Sequence, residues 1–319
     1  MGPRSPSGNG LTSLVGARGV VDVDEAESWV RSVVPAVGPL ELFQVEPWAS
    51  VFRARVDGEV VWFKACAPNQ AFEVLLTAQL SARWSAVTEV LAHDGDRQWL
   101  LMADAGQPLG VLGNPPQRWL EILPVYAELQ IGEIERVGGH LAHGVPDLRL
   151  TNLSALYEDL LDAELPLETD EISALRAFHP HFDALCEELD GGRIGPSVQH
   201  DDLHMNNVYL RGDTLRVLDW GDSSIGHPFF SLFETFRFLV ERNRLPLDDP
   251  WFARLRDAYL EPWGEGHLPV FDLSLRVGGI AHAIAWLHQR DALPRADRRA
   301  FDEPFAMILR LAIQRAVHP

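Results

Sequence analysis

The dipeptide Asp57-Gly58, set between two runs patterned for β-structure, constrains the fold of this chain more than any other feature. Val51 to Val56 precedes it, and Glu59 to Ala65, with Val60, Val61, Trp62 and Phe63, comes after it. Asp-Gly between such runs is a strong signal for a two-residue hairpin, because both turn positions need positive φ. With Leu40 to Val45 ahead of it, the stretch predicts an antiparallel meander rather than a βαβ unit. A helix is predicted from about residue 70 to 84, where Phe72, Leu75, Leu76, Gln79 and Leu80 recur at helical spacing. Two further strands, residues 87–93 and 99–102, flank the turn Asp94-Gly95-Asp96. Residues 40–102 therefore read as five strands and one inserted helix.

After Asp104 the texture changes. Gly106, Pro108, Gly110, Gly113, Pro115 and Pro116 mark a connector. Beyond it the periodicity predicts helices over about 118–137, 151–164, 170–190, 228–243, 250–261, 271–289 and 299–316. Residues 197–226 interrupt them with a predicted hairpin, Val208-Tyr209-Leu210 and Leu215-Arg216-Val217-Leu218 around Arg211-Gly212-Asp213. The expected organisation is a flexible Gly-, Pro- and Ser-rich leader over 1–20, a first lobe over 21–104 and a helical lobe over 105–319. A length of 319 residues suits two such lobes.

Charge narrows the partners. There are 27 Lys and Arg against 46 Asp and Glu, a net charge of −19. That surface repels phosphate backbones and anionic lipid, so neither nucleic acid nor a membrane is an expected partner. No continuous apolar run of bilayer length is present. Two distant cysteines, Cys66 and Cys186, make no disulfide framework, which places the expected site of action in a reducing compartment, the cytoplasm.

The chemistry is concentrated in Gln199-His200-Asp201-Asp202-Leu203-His204-Met205-Asn206-Asn207 and, beyond the hairpin, Asp219-Trp220-Gly221-Asp222. Phosphoryl transfer from ATP needs a carboxylate to orient the acceptor hydroxyl and oxygen ligands to hold Mg2+ on the phosphates. Asp202 fits the first task; Asn207, five residues on, and Asp219 fit the second. The order matches a protein-kinase catalytic loop and its metal-binding element. In the first lobe Lys64 ends the strand Val61-Trp62-Phe63-Lys64, as does the kinase lysine that reaches ATP phosphates. Glu73 on the following helix is its expected carboxylate partner, with Glu89 as the rival.

These motifs resemble the aminoglycoside phosphotransferase and choline kinase-like family of small-molecule kinases. The family motif His-Gly-Asp-x-x-x-x-Asn is similar to His200-Asp201-Asp202 with Asn207, and Asp-Trp-Gly is present as Asp219-Trp220-Gly221. The resemblance covers roughly residues 40–300 and implies an α+β, bilobal protein-kinase-like fold: an antiparallel β-sheet N-lobe and a mainly helical C-lobe. It implies ATP and Mg2+ as cofactors and a small-molecule hydroxyl acceptor. Asp202 is then catalytic, and Asn207 and Asp219 are metal ligands. Lys64 and Glu73 serve the nucleotide phosphates, Met102, Ala103 and Asp104 receive adenine on their backbone, and Ser50 is the best phosphate contact in the glycine-free loop Pro47-Trp48-Ala49-Ser50. Two departures stand out: Asp201 replaces a glycine, and Ser231 occupies a position often held by Asp.

Two other readings use the same residues. A kinase-like module could bind nucleotide without turnover. Alternatively His200 and His204 with Asp201, Asp202 and Asp219 could hold metal for hydrolysis. Eleven acidic residues and one basic residue, Arg176, lie between 155 and 190. They would attract a cationic acceptor such as an aminoglycoside, or simply form a solvated helix face.

Overall fold

In the computed structural model, residues 21–192 and 194–317 are described. The expected leader over 1–20 lies outside them. The chain forms two compact units, one comprising the described residues to Ala78 with Glu89–Asp104, the other Gln79–Thr88 with everything from Ala105.

The first unit starts with α1 (Val23–Val33), capped by the Asp22 carboxylate, which accepts the Asp24 and Glu25 amides. Strands β1 (Glu41–Glu46), β2 (Ala49–Val56) and β3 (Glu59–Cys66) come next, then α2 (Phe72–Ser81), β4 (Val90–Asp94) and β5 (Trp99–Ala103). The sheet is five-stranded in the order β1-β2-β3-β5-β4, every pair antiparallel. Asp57 and Gly58 join β2 to β3 with φ of 51° and 90°, as the turn chemistry requires.

Alternation along β3 decides what its side chains meet. Val61, Phe63 and Ala65 enter a core with Ala26 and Val30 of α1, where Phe63 stands 5.4 Å from the Trp99 ring and 5.9 Å from that of Trp29. Lys64 and Cys66 therefore face the other side, where Cys66 packs with Val74 and Leu100.

The second unit contains β6 (Gln107–Pro108), α3 (Pro116–Glu133), α4 (Val137–Ala142), β7 (Asp147–Leu148), α5 (Leu150–Asp162) and α6 (Thr169–Asp190). It continues with β8 (Ser197–Gln199), β9 (Val208–Arg211), β10 (Thr214–Val217) and β11 (Ser224–Gly226). Helices α7 (Leu232–Asn243), α8 (Pro250–Leu260), α9 (Leu268–Asp291) and α10 (Arg295–Val317) complete it. By length and composition α9 could cross a bilayer, but 61% of its apolar window is buried, and Val277, Ile280, Ala281 and Ile284 join a core with α5, α6 and α10. It is a core helix.

Two differences from the sequence expectation bear on function. Residues 79–88 belong to the second unit because Arg83 and Trp84 both hydrogen-bond the Glu133 carboxylate, while Val87 bridges to Val217 and the Thr88 amide donates to Val217 O. The Gly- and Pro-rich connector is also more than a link. Gln107 and Pro108 pair with Leu210 and Tyr209, giving a sheet in the order β10-β9-β6. Gly106, at φ 95°, makes this possible: a Cβ there would stand 2.2 Å from the Leu210 carbonyl oxygen. Gly106→Ala is expected to lower stability by about 2 kcal/mol or more, through the clash and the left-handed backbone together. Urea denaturation with an unchanged midpoint would contradict this.

Candidate active site

In the first unit Lys64 Nζ lies 2.7 Å from Glu73 Oε1, with the two side chains only 7% and 2% exposed. Glu73 Oε2 also accepts the Cys66 thiol at 3.4 Å. Glu89, just ahead of β4, is exposed, and Glu73 of α2 supplies the lysine's carboxylate. Ser50 is not in a loop. It sits inside β2, paired with Val45 on one side and Ala65 on the other, because the ladder runs without a break to Ala49. The loop between β1 and β2 is only Pro47 and Trp48. Met102 and Ala103 are likewise strand residues. The Ala103 amide donates to Glu89 O at 2.9 Å, so that N–H is already engaged, and Asp104 Oδ1 accepts the Trp62 indole N–H at 3.0 Å.

In the second unit the motif His200 to Asn207 forms a tight loop between β8 and β9. The His204 amide donates to Asp202 O and the Asn207 amide to His204 O, both at 2.9 Å. Asn207 Nδ2 donates to both Asp202 O and Asp202 Oδ2 at 2.9 Å. This turns the amide nitrogen toward Asp202 and leaves Oδ1 as the ligand atom that a hard cation would use. The Leu218 amide donates to Asn207 O at 2.9 Å, which sets Asp219 beside the loop at φ 63° and ψ 65°. Asp is among the few non-glycine residues that adopt this left-handed conformation readily. Thr235 Oγ1 of α7 donates to Leu203 O at 2.7 Å and ties the loop down from below.

Asp202 keeps 32% of its side-chain surface exposed and lies 3.4 Å from His204 Nε2. Its carboxyl is pushed well above the ordinary range, first by desolvation, then by the negative charges of Asp222, Glu234 and Asp219, against a hydrogen bond from Asn207. A divalent cation relieves such mutual repulsion, and the Asn207 amide oxygen and the Asp219 carboxylate are hard oxygen donors that fit Mg2+. Among the described residues no cluster of three or more His, Cys, Asp or Glu has metal-holding geometry. His200 serves a different purpose. Burial lowers its pKa to about 4, and Nε2 lies 2.7 Å from Leu218 O, so the neutral ring donates to that carbonyl and joins the two halves of the motif.

Asp201 sits at φ 58°, which explains why a glycine suits this position. Its carboxylate does not crowd the loop. It turns inward and accepts Ser224 Oγ at 2.6 Å, and burial raises its pKa to about 7. Beneath it Glu234 pairs with Arg237 and lies 3.0 Å from His282 Nε2. Desolvation opposes ionisation of Glu234, yet these two cations hold its carboxyl down at about 2. Asp222, Glu234 and His282 are residues to which the sequence motifs assign no role. Asp222 had a signal, three residues after Asp219; the other two became legible only through packing.

A second buried carboxylate anchors residues 79–88. Glu133 accepts Arg83 Nε and Nη2, Trp84 Nε1 and His140 Nε2 at 2.7–2.8 Å. Desolvation pushes its carboxyl up, but those donors outweigh it and bring the pKa down from 4.5 to about 2. A lowered folded-state pKa gives stability that is present above the unfolded value and lost as pH falls. Stability on the order of 3 kcal/mol should therefore disappear between about pH 4.5 and pH 2. Urea midpoints across that range should show the loss, and Glu133→Gln should flatten it; an equally steep acid limb in the variant would refute the assignment.

A cavity of about 690 Å³ lies in the second unit, lined by Phe236, Leu247, Phe252, Phe271, Arg256 and Arg276 among others. Neither Asp202, Asn207 nor Asp219 lines it. Nine of the eleven acidic residues between 155 and 190 are exposed, and the partly exposed Glu171 pairs with Arg310.

Residues 71–273, more than half of the chain, match the phosphotransferase enzyme family. The chain belongs to that family. It is a phosphotransferase of the small-molecule kinase type. No curated protein sequence matches significantly. Solved structures do. A choline/ethanolamine kinase family protein from Mesorhizobium loti is 17% identical, with a TM-score of 0.61 over 91% of this chain and 94% of that one. Choline kinase LicA from Streptococcus pneumoniae is 10% identical, with a TM-score of 0.60 over 92% and 99%. A thermostable mutant of the aminoglycoside phosphotransferase APH(4)-Ia, in ternary complex with ADP and hygromycin B, is 12% identical, with a TM-score of 0.58 over 92% and 100%. At these identities the likeness shows the fold, which is the protein-kinase-like fold of the small-molecule kinases.

Proposed function

We propose that this phosphotransferase moves the γ-phosphoryl group of ATP, with Mg2+, onto a hydroxyl of a small molecule, a cationic one such as an aminoglycoside or amino alcohol. The observation that carries this reading is the hold of Asn207 on Asp202. One side chain fixes both the backbone and the carboxylate of the proposed base while keeping its own oxygen for the metal. Asp202 orients the acceptor hydroxyl and takes its proton late in the transfer. Asn207 Oδ1 and Asp219 would hold Mg2+, which when bound neutralises charge on the phosphates. Lys64, held in place by Glu73, binds the α and β phosphates, and the backbone around Met102, Ala103 and Asp104 takes the adenine. Since the Ala103 amide is engaged within the sheet, adenine contacts fall to the other backbone groups of that segment. Buried free cysteines agree with action in the reducing cytoplasm.

The acidic outer faces of α5 and α6 favour a cationic acceptor through the long-range field. The test is a panel of hydroxylated compounds (aminoglycosides, choline, ethanolamine, homoserine, macrolides and sugars) with MgATP. ADP release and a mass gain of one phosphoryl group on one compound are expected. Absence of both across the panel, together with no MgATP binding, would overturn the reading.

A further inference from the structure

The amide that opens the catalytic loop, that of His200, does not end in a backbone carbonyl. It donates to the hydroxyl of Tyr126 at 3.0 Å, from a residue 74 positions away on α3. Ser231 Oγ lies 3.4 Å from the same amide and 2.7 Å from the Tyr126 hydroxyl. Both residues are buried, and desolvation holds the Tyr126 phenol protonated far above its ordinary pKa. The group that receives the amide is therefore a neutral hydroxyl.

One turn further along α3, Gln130 extends the same grip. Its Nε2 donates to Val198 O at 3.0 Å and Pro228 O at 2.9 Å, and its Oε1 accepts the Tyr259 hydroxyl. Its backbone carbonyl accepts Ser197 Oγ at 2.6 Å. One face of α3 thus holds the strand that enters the loop, β8, and the turn that leaves the site, residues 228–231.

The two residues after His200 make this hold consequential. Asp201 turns sharply at φ 58°, and Asp202 comes next. A tilt of the peptide plane at His200 passes through that bend straight into the direction of the Asp202 carboxylate. Positioning at the level of tenths of an ångström matters for transfer rates.

We propose that Tyr126, seconded by Ser231, is a positioning residue that fixes the His200 peptide plane and so aims Asp202. Its consequence for rate rests on the proposed function; its consequence for the loop does not.

The test is Tyr126→Phe in the full chain, with two readouts. In hydrogen–deuterium exchange, the His200 amide should exchange at least tenfold faster, while amides of β2 and β3 stay unchanged. With MgATP and a hydroxylated acceptor identified in the panel, or with MgATP alone read as slow ADP release, kcat should fall tenfold or more while KM for ATP stays within twofold. Adding Ser231→Asp should recover most of the loss, because its carboxylate occupies the space of the missing hydroxyl and accepts the same amide. Unchanged exchange at His200, or kcat within twofold of wild type, would overturn the proposal. So would equal losses in kcat and ATP affinity. If Tyr126→Phe does not fold, Ser231→Ala replaces it with the same expectation of faster His200 exchange, and unchanged exchange again refutes the idea. A wild-type protein that releases no ADP with any acceptor of the panel and binds no MgATP would refute the proposed function, and the exchange result would still decide the role of Tyr126.

Discussion

Replacing Asp202 by asparagine is expected to reduce phosphate transfer by about a thousandfold, within the range that a positioned general base contributes. The change is nearly isosteric. The asparagine side-chain oxygen can still accept Asn207 Nδ2, so the loop keeps the bonds that shape it. What is lost is the group proposed to orient the acceptor hydroxyl and receive its proton. Affinity for MgATP should stay within about twofold, since Asp202 is not assigned to the metal. Steady-state ADP release and calorimetric titration of MgATP separate the two effects. Wild-type turnover in Asp202→Asn would remove the central assignment of the site.

Asp219→Asn should show the complementary pattern. Turnover is expected to fall by about a hundredfold or more, as for the loss of a transition-state charge partner. In addition, MgATP affinity should weaken about tenfold while affinity for ATP without magnesium is unchanged. Asparagine is the right substitution here, because it tolerates the left-handed backbone at φ 63° that most side chains would strain. Circular dichroism and the melting temperature should therefore match wild type. Equal loss of affinity with and without magnesium would assign Asp219 to the fold rather than to the metal. Together the two variants test whether base and metal ligand are separate functions carried on either side of one hairpin.

Much of the local architecture is present in short windows of sequence. The β2–β3 hairpin arises from Asp57-Gly58 and the alternation on either side of it, and β9–β10 arises from a two-residue turn with Gly212, at φ 60°, in its first position. Asp202 and Asn207 are legible because a loop of fixed length carries both. The missed features have partners far away in the chain. The strand start at Ala49 depends on register with Cys66, and the engaged amide of Ala103 depends on Glu89. Residues 79–88 join the second unit through Glu133, about fifty positions later.

Turn chemistry, strand alternation and the spacing from Asp202 to Asn207 and Asp219 are relations among near neighbours, so the chain by itself determined the hairpins, the helical second half and the residue types proposed to handle phosphate. Tertiary structure decided the rest: that Asp201 turns inward to Ser224, and that Tyr126 receives the His200 amide. Those outcomes depend on which buried polar groups find one another once water is removed. Periodicity carries no information about partners dozens of residues apart, whereas burial leaves each polar group little alternative to a bonded one.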